Sequence, residues 1–121
     1  MSKRILVVED QEDSRRILRD LLSSADYEMT EAINGEQALA AVAKQRPDLI
    51  LMDIQMPVLD GYEATRRIKA DPALKDVPII AVTSYALSDD EAKARAAGCD
   101  DFVPKPFSPR QLLARIRKLL P

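Results

Sequence analysis

The sequence predicts an α/β fold in which helices cover both faces of a parallel β-sheet. Strand-sized apolar segments alternate with amphipathic helical segments along all 121 residues, and this alternation is typical of βαβ units. Three of the apolar segments lack polar alternation, as expected for central strands that are covered on both faces. Capping residues followed three positions later by Glu or Gln mark helix starts between the strands.

Five strands are predicted. Arg4 to Glu9, Leu49 to Asp53 and Pro78 to Thr83 are the continuous apolar runs that indicate central strands. Tyr27 to Ala32 is more polar and suits an edge strand. Asp101 to Pro104 is a short fifth strand.

Five helices are predicted between and after these strands. The first, Ser14 to Ser24, carries a stripe that we expect in the core, namely Ile17, Leu18, Leu21 and Leu22. The second runs from Asn34 to Gln45, and the fourth, Ser88 to Ala97, is rich in alanine and buries little apolar area. Helix starts are predicted at the pairs Asn34/Gln37, Asp60/Glu63, Ser88/Glu91 and Ser108/Gln111.

Composition excludes several classes of protein. Apolar residues make up 46% and charged residues 31%, with a net charge of −2, which fits neither a disordered chain nor a basic nucleic-acid binder. No apolar stretch is long enough to span a membrane and no signal peptide precedes the first strand, so we expect a cytoplasmic protein. The chain has no histidine, one cysteine and three glycines. These counts exclude Ser-His-Asp and Cys-His nucleophiles, an internal disulfide and the glycine-rich phosphate loops.

Acidic residues end two of the predicted central strands. Glu9 and Asp10 close the run RILVVED, and Asp53 closes PDLILMD. Because the carboxyl ends of neighbouring parallel strands open on one crevice, the three carboxylates are expected to face one another. Two carboxylates about 4 Å apart repel by roughly 4 kcal/mol at an effective dielectric of 20, so the cluster predicts a divalent cation. Oxygen ligands select a hard cation, for which Mg²⁺ is the common choice beside phosphate chemistry.

Four segments carry a family resemblance in their order and spacing. ILVVED, PDLILMDIQMPVLDG, PIIAVTS and FVPKPF resemble the receiver domain of two-component response regulators, over essentially all of residues 1–121. The resemblance implies a flavodoxin-like, doubly wound, five-stranded parallel sheet of order 2-1-3-4-5 with five helices. It also implies a single-domain response regulator, not an enzyme beyond self-catalysed phosphotransfer and autodephosphorylation.

The same resemblance implies roles at the acid cluster. Asp53 would accept a phosphoryl group from a histidine kinase or a histidine phosphotransfer protein, in a Mg²⁺-dependent reaction. Glu9, Asp10, Asp53 and the backbone carbonyl of Gln55 would hold the Mg²⁺. Lys105 would pair with Asp53 and then with a phosphoryl oxygen.

A switch is implied by two further positions. The Thr83 hydroxyl would bind another phosphoryl oxygen, and Phe102 would rotate into the space that Thr83 vacates. The fourth helix, fifth strand and fifth helix would then present a changed surface to a downstream protein target. Gln55 and Tyr85 would flank the path of a hydrolytic water and tune the lifetime of the phosphorylated state.

Partner docking is expected near the mouth of the crevice. The residues that resemble the patch for a histidine-bearing helix are Gln11, Ser14, Ile17, Pro106 and Phe107. Pro106 resembles the family's cis-proline. The basic residues of the last helix are interpreted as a solvated or partner-facing side and not as a nucleic-acid site, and the protein is expected to be a monomer or a phosphorylation-dependent dimer.

Alternatives remain open from the sequence. The chain could be a receiver excised from a hybrid kinase or a larger regulator. A haloacid-dehalogenase-type phosphatase also uses an aspartyl phosphate, but its nucleophile is normally followed two residues later by a second Asp, where this chain has Gln55. A receiver-like module that is never phosphorylated is disfavoured by the intact Asp53, Thr83 and Lys105.

Overall fold

The computed structural model describes residues 2–54, 59–83 and 90–120, in which strands and helices alternate as predicted. The strands are β1 (Arg4–Val8), β2 (Glu28–Ala32), β3 (Leu49–Asp53), β4 (Ile79–Thr83) and β5 (Asp101–Pro104). The helices are α1 (Glu12–Ser24), α2 (Gly35–Lys44), α3 (Gly61–Ala70), α4 (Asp90–Ala97) and α5 (Pro109–Leu119). Among the described residues, no helix has the length and apolar character that crossing a bilayer requires.

The strands form one sheet of order β2-β1-β3-β4-β5, and every neighbouring pair is parallel. This is the flavodoxin-like order that the resemblance implied. The chain winds one way from β1 to β2 and then crosses back to β3, so the direction of winding reverses between β1 and β3. Ligand crevices of open α/β sheets lie at this reversal, beyond the carboxyl ends of the strands.

Two buried clusters cover the two faces of the sheet. Leu6 and Val8 of β1 belong to the cluster that includes residues of α2, α3 and α4. Ile5 and Val7 belong to the other cluster, with residues of α1 and α5. Because alternate side chains of a strand point to opposite faces, a strand covered on both sides needs apolar residues at every position, which explains the continuous apolar runs.

The predicted helix starts are confirmed wherever the structure describes them. In three helices the capping side chain accepts a hydrogen bond from the backbone N–H three residues later: Asn34/Gln37 (2.8 Å), Asp60/Glu63 (2.9 Å) and Ser108/Gln111 (3.3 Å). The fourth predicted cap, Ser88, lies outside the described residues. Asp60 is therefore a cap of α3, as the sequence indicated.

The prediction that Ile17 of α1 belongs to the core is wrong. Leu18 and Leu22 are buried, whereas Ile17 is 60% exposed. At about 100° per residue, Ile17 lies at the edge of the apolar arc centred between Leu18 and Leu21, and so it faces away from the sheet. The helix also begins at Glu12, two residues earlier than predicted, with Glu12 and Asp13 in the first turn, where acidic side chains are favoured.

Candidate functional site

The three predicted acids converge at the carboxyl ends of β1 and β3. The register pairs Val8 with Met52, so the next residues, Glu9 and Asp53, lie side by side. Glu9, Asp10 and Asp53 each place a carboxylate oxygen within 4.8 Å of the others. Glu9 is 3% exposed and Asp53 is 7% exposed, while Asp10 is exposed. The cluster is thus buried on its inner side and open to solvent at Asp10.

Lys105 brings a positive charge to this cluster from β5. Its backbone N–H donates to the Thr83 carbonyl oxygen at 2.7 Å, which places the residue after β5 beside the end of β4. The Lys105 Nζ lies 4.0 Å from Oδ2 of Asp53, its expected partner, but only 3.0 Å from Glu9 Oε2. The closer partner was not predicted. The Lys105–Pro106 peptide bond is cis.

A buried oxygen of Glu9 allows a test of whether the site fits a metal ion. Glu9 Oε1 is buried and has no hydrogen-bond partner among the described residues, and leaving such an acceptor without a partner is costly. The other candidate ligands are also carboxylate oxygens, the donor type that Mg²⁺ prefers. The residues present therefore fit a hard divalent cation. The backbone carbonyl of Gln55, the fourth predicted ligand, lies outside the described residues.

Arg15 supports the acid cluster from α1, a contact that the sequence analysis missed. Its Nη1 donates to the backbone carbonyl oxygen of Glu9 at 2.8 Å, and its Nε lies 3.2 Å from Glu31 Oε1. The guanidinium thereby ties the end of β1 to α1 and to the end of β2. The sequence does contain a signal: Arg15 stands three residues before Leu18 and seven before Leu22, on the buried side of α1, whereas Arg16 is exposed.

Gly61 sets how closely α3 approaches Asp53, and it too was missed. A Cβ at this position would lie 2.5 Å from the Asp53 carbonyl oxygen and 2.8 Å from Ile54 Cα. The Gly61 N–H donates to the Ile54 carbonyl oxygen at 3.1 Å. The sequence does contain a signal: a glycine directly after the cap Asp60, where most residues favour the helix more, indicates a packing requirement.

The two residues expected to form the switch occupy β4 and β5. Thr83 is the last residue of β4, one position beyond Val82, which pairs with Asp53. It is 1% exposed. Phe102 of β5 pairs with Ala81 and belongs to the same buried cluster as Ala94 of α4. Phe102 therefore links the strand beside Thr83 to α4. Tyr85 lies outside the described residues.

A pocket adjoins Lys105 on the side of α1. It has a volume of about 420 Å³ and is lined by Ser14, Ile17, Leu18, Lys105, Pro106 and Phe107. Four of the five residues predicted for partner docking are among them. The fifth, Gln11, is the exposed N-cap residue of α1 and does not line the pocket. The pocket is mainly apolar, and Lys105 connects it to the acid cluster.

The fold and the acid cluster are those expected of a receiver domain, and comparison with known proteins agrees. The chain belongs to the response regulator receiver domain family, which it matches over residues 5–117. It is 40% identical over 120 residues to the polar-differentiation response regulator DivK of Brucella anthropi, with 99% of this chain and 98% of DivK covered.

Solved structures show the same fold. The receiver domain of the sensor histidine kinase PA1611 of Pseudomonas aeruginosa PAO1, which has a magnesium ion coordinated in its active-site cleft, is 38% identical with a TM-score of 0.92, covering 99% of this chain and 98% of that one. The chemotaxis response regulator CheY4 of Vibrio cholerae is 29% identical with a TM-score of 0.92, covering 98% and 99%. These similarities do not favour the phosphatase alternative.

Proposed function

We propose that this receiver accepts a phosphoryl group on Asp53 from a histidine kinase or a histidine phosphotransfer protein and thereby switches the surface that it presents to a protein target. The observation that carries the proposal is the convergence of three carboxylates within 4.8 Å, with the Lys105 ammonium beside two of them. One strand alone could not assemble this group, because the residues lie at the carboxyl ends of β1, β3 and β5.

The chemistry follows from the groups present. The Asp53 carboxylate attacks the phosphorus of a phosphohistidine in line, so that an O–P bond forms and the N–P bond breaks. The histidine of the partner leaves with the electron pair of that bond. Lys105 offsets the negative charge on the transferred group as a point charge. Glu9, Asp10 and Asp53, with the Gln55 carbonyl, would hold Mg²⁺, which supplies charge neutralisation during phosphoryl transfer.

The switch would run through β4 and β5 to α4. A phosphoryl group adds about 1.5 to 2 negative charges and three strong acceptor oxygens, one of which the Thr83 hydroxyl would bind. Phe102 belongs to the same buried cluster as Ala81 of β4 and Ala94 of α4. The described part of α4 is anchored by the small side chains of Ala94 and Ala97. A helix held by alanines loses less buried area when it shifts than one held by leucines.

Docking of the phosphodonor would use the pocket beside Lys105. The exposed Ile17 lines it together with Pro106 and Phe107. An amphipathic helix that places an apolar side chain there would bring its histidine to the mouth of the acid cluster. The exposure of Ile17, a large apolar side chain, supports this assignment.

Phosphate labelling tests the proposal. Phosphoramidate, a small donor that contains the N–P bond of phosphohistidine, is incubated with the wild type, Asp53→Asn and Asp60→Asn, each with Mg²⁺ and with EDTA. We expect labelling of the wild type and of Asp60→Asn in Mg²⁺ only, because Asp60 is the cap of α3. Asp53→Asn should remain unlabelled. Continued Mg²⁺-dependent labelling of Asp53→Asn, or catalytic turnover of simple phosphomonoesters by the wild type, would contradict the assignment.

A further inference from the structure

The ion pair between Glu9 and Lys105 connects the cation-binding side of the site to the lysine side. We infer that Glu9 is a positioning residue for Lys105: without a divalent cation it holds the ammonium away from Asp53, and cation binding transfers the ammonium to Asp53. The inference rests on the proposed function, because it takes the acid cluster to be a cation site.

The distances distinguish the two possible partners of the lysine. An N–H···O hydrogen bond spans about 2.7 to 3.2 Å between heavy atoms. The Lys105 Nζ is 3.0 Å from Glu9 Oε2, within this range, and 4.0 Å from Asp53 Oδ2, outside it. Lys105 is thus hydrogen-bonded to Glu9 and has only a longer-range attraction to Asp53.

The length of the glutamate side chain allows this arrangement. Glu has one carbon–carbon bond more than Asp, about 1.5 Å of additional reach. One oxygen of Glu9 extends to the ammonium, while Oε1 stays buried without a hydrogen-bond partner among the described residues. A single carboxylate therefore serves Lys105 with one oxygen and leaves the other available to a cation.

Charge explains why the two contacts compete. Three carboxylates and one ammonium leave two negative charges uncompensated, which one divalent cation would neutralise. A cation at the cluster repels the ammonium and draws the Glu9 carboxylate toward itself. Lys105 then loses its hydrogen bond, and the Asp53 carboxylate, already 4.0 Å away, can accept one in its place. Glu9 in this way makes the lysine's approach to the phosphoacceptor depend on the cation.

The cation-free state is tested by NMR of the lysine ammonium groups in the full chain, labelled with ¹⁵N and kept in EDTA. Exchange of the Lys105 ammonium protons with water is measured in the wild type, Glu9→Asp and Asp53→Asn. Glu28→Asp is the matched control, because Glu28 pairs with Arg4 on the surface, away from the site. We expect exchange to be at least fivefold faster in Glu9→Asp and within twofold of the wild type in the other two. Faster exchange in Asp53→Asn with no change in Glu9→Asp would overturn the inference.

The transfer is tested by adding Mg²⁺, with binding followed independently by calorimetry. In the wild type the Lys105 ammonium resonance should shift as Mg²⁺ is added, and the midpoint of this shift should match the midpoint of the calorimetric titration. Glu9→Asp keeps a carboxylate, so its affinity for Mg²⁺ should stay within about threefold of that of the wild type. Its Lys105 resonance should nevertheless shift by less than half as much as in the wild type. If Glu9→Asp fails to fold, as judged by its unfolding midpoint, Glu9→Gln replaces it in the cation-free comparison.

The outcomes separate this inference from the proposed function. If Mg²⁺ binds and the Lys105 resonance does not move, the transfer is refuted while phosphorylation of Asp53 stands. If calorimetry detects no Mg²⁺ binding, both the transfer and the metal part of the proposed function are wrong. The exchange rates in EDTA decide in either case whether Glu9 holds Lys105.

Discussion

Replacing Lys105 by methionine should destabilise the protein in a way that Mg²⁺ partly reverses. Methionine keeps most of the side-chain volume and removes the ammonium. The change leaves Glu9, Asp10 and Asp53 close together without the ammonium that pairs with the carboxylates of Glu9 and Asp53. A divalent cation can supply the missing charge, whereas it cannot replace a lysine elsewhere in the fold.

The size of the effect follows from the geometry of the ion pair. At 3.0 Å and an effective dielectric of 20, the attraction between Lys105 and Glu9 is about 5.5 kcal/mol before desolvation. Breaking one side of a buried ion pair typically costs about 3–5 kcal/mol. The Lys105 side chain is 19% exposed, so we expect the low end, about 3 kcal/mol of unfolding free energy in EDTA.

Mg²⁺ should reduce this loss. A ligand that binds only the folded state stabilises it by RT ln(1 + [L]/Kd). Without the competing ammonium the variant should bind Mg²⁺ about tenfold more tightly, which adds about 1.4 kcal/mol relative to the wild type. The difference between variant and wild type should therefore fall from about 3 to about 1.5 kcal/mol in saturating Mg²⁺.

Urea unfolding followed by far-UV circular dichroism measures both values, since the chain has no tryptophan for fluorescence. Lys69→Met is the matched control: Lys69 is 17% exposed and lies 3.0 Å from Asp100 Oδ2, away from the acid cluster. It should be destabilised equally in EDTA and in Mg²⁺. Equal gains from Mg²⁺ in Lys105→Met, Lys69→Met and the wild type would refute the reasoning.

Three further predictions concern the residues around the site. Gly61→Ala should lower the unfolding free energy by about 1–3 kcal/mol and slow the phosphate labelling of Asp53, since a Cβ would lie 2.5 Å from the Asp53 carbonyl oxygen. An unchanged urea midpoint in Gly61→Ala would contradict this prediction. Asp101→Asn should lower the unfolding free energy by about 1–2 kcal/mol, because the buried Asp101 carboxylate accepts hydrogen bonds from Arg115 and from the backbone N–H of Phe102. Glu63→Gln also removes a carboxylate paired with arginines, but on an exposed surface, and should leave the urea midpoint unchanged. Equal losses of unfolding free energy in the two variants would show that burial is not the cause. Burial raises the pKa of the Cys99 thiol to about 11, so the rate of alkylation of the folded protein should rise about tenfold per pH unit from pH 8 toward 11. The unfolding free energy should fall as the pH rises between about 9 and 11, because in that range the thiol ionises readily only in the unfolded chain. An alkylation rate already at its plateau at pH 9 would exclude the raised pKa.

Much of the fold was predictable because it depends on local patterns. Continuous apolar runs identified β1, β3 and β4, and cap residues identified the starts of α2, α3 and α5. The convergence of Glu9 with Asp53 was predictable for a different reason: parallel strands share a carboxyl edge, so two residues that end central strands must meet there.

The rest depends on distances that a sequence does not contain. Glu9, rather than Asp53, is the closer partner of Lys105 by 1.0 Å, the difference between 3.0 and 4.0 Å, and no spacing rule resolves a choice between adjacent carboxylates. Periodicity placed Ile17 with the core because it sits at the edge of the apolar arc, where a small rotation of α1 decides burial or exposure. The roles of Thr83 and Phe102 came from the family resemblance alone.

The most direct test of the account is the response of the backbone amides to Mg²⁺ with beryllofluoride, a mimic of the phosphoryl group. If Asp53 is the acceptor and the switch runs through β4 and β5, the amide resonances of Asp53, Thr83 and Lys105 should shift, and the shifts should extend to α4 and α5. Asp53→Asn should show none of them. An unresponsive wild type, or the same shifts in Asp53→Asn, would contradict the account.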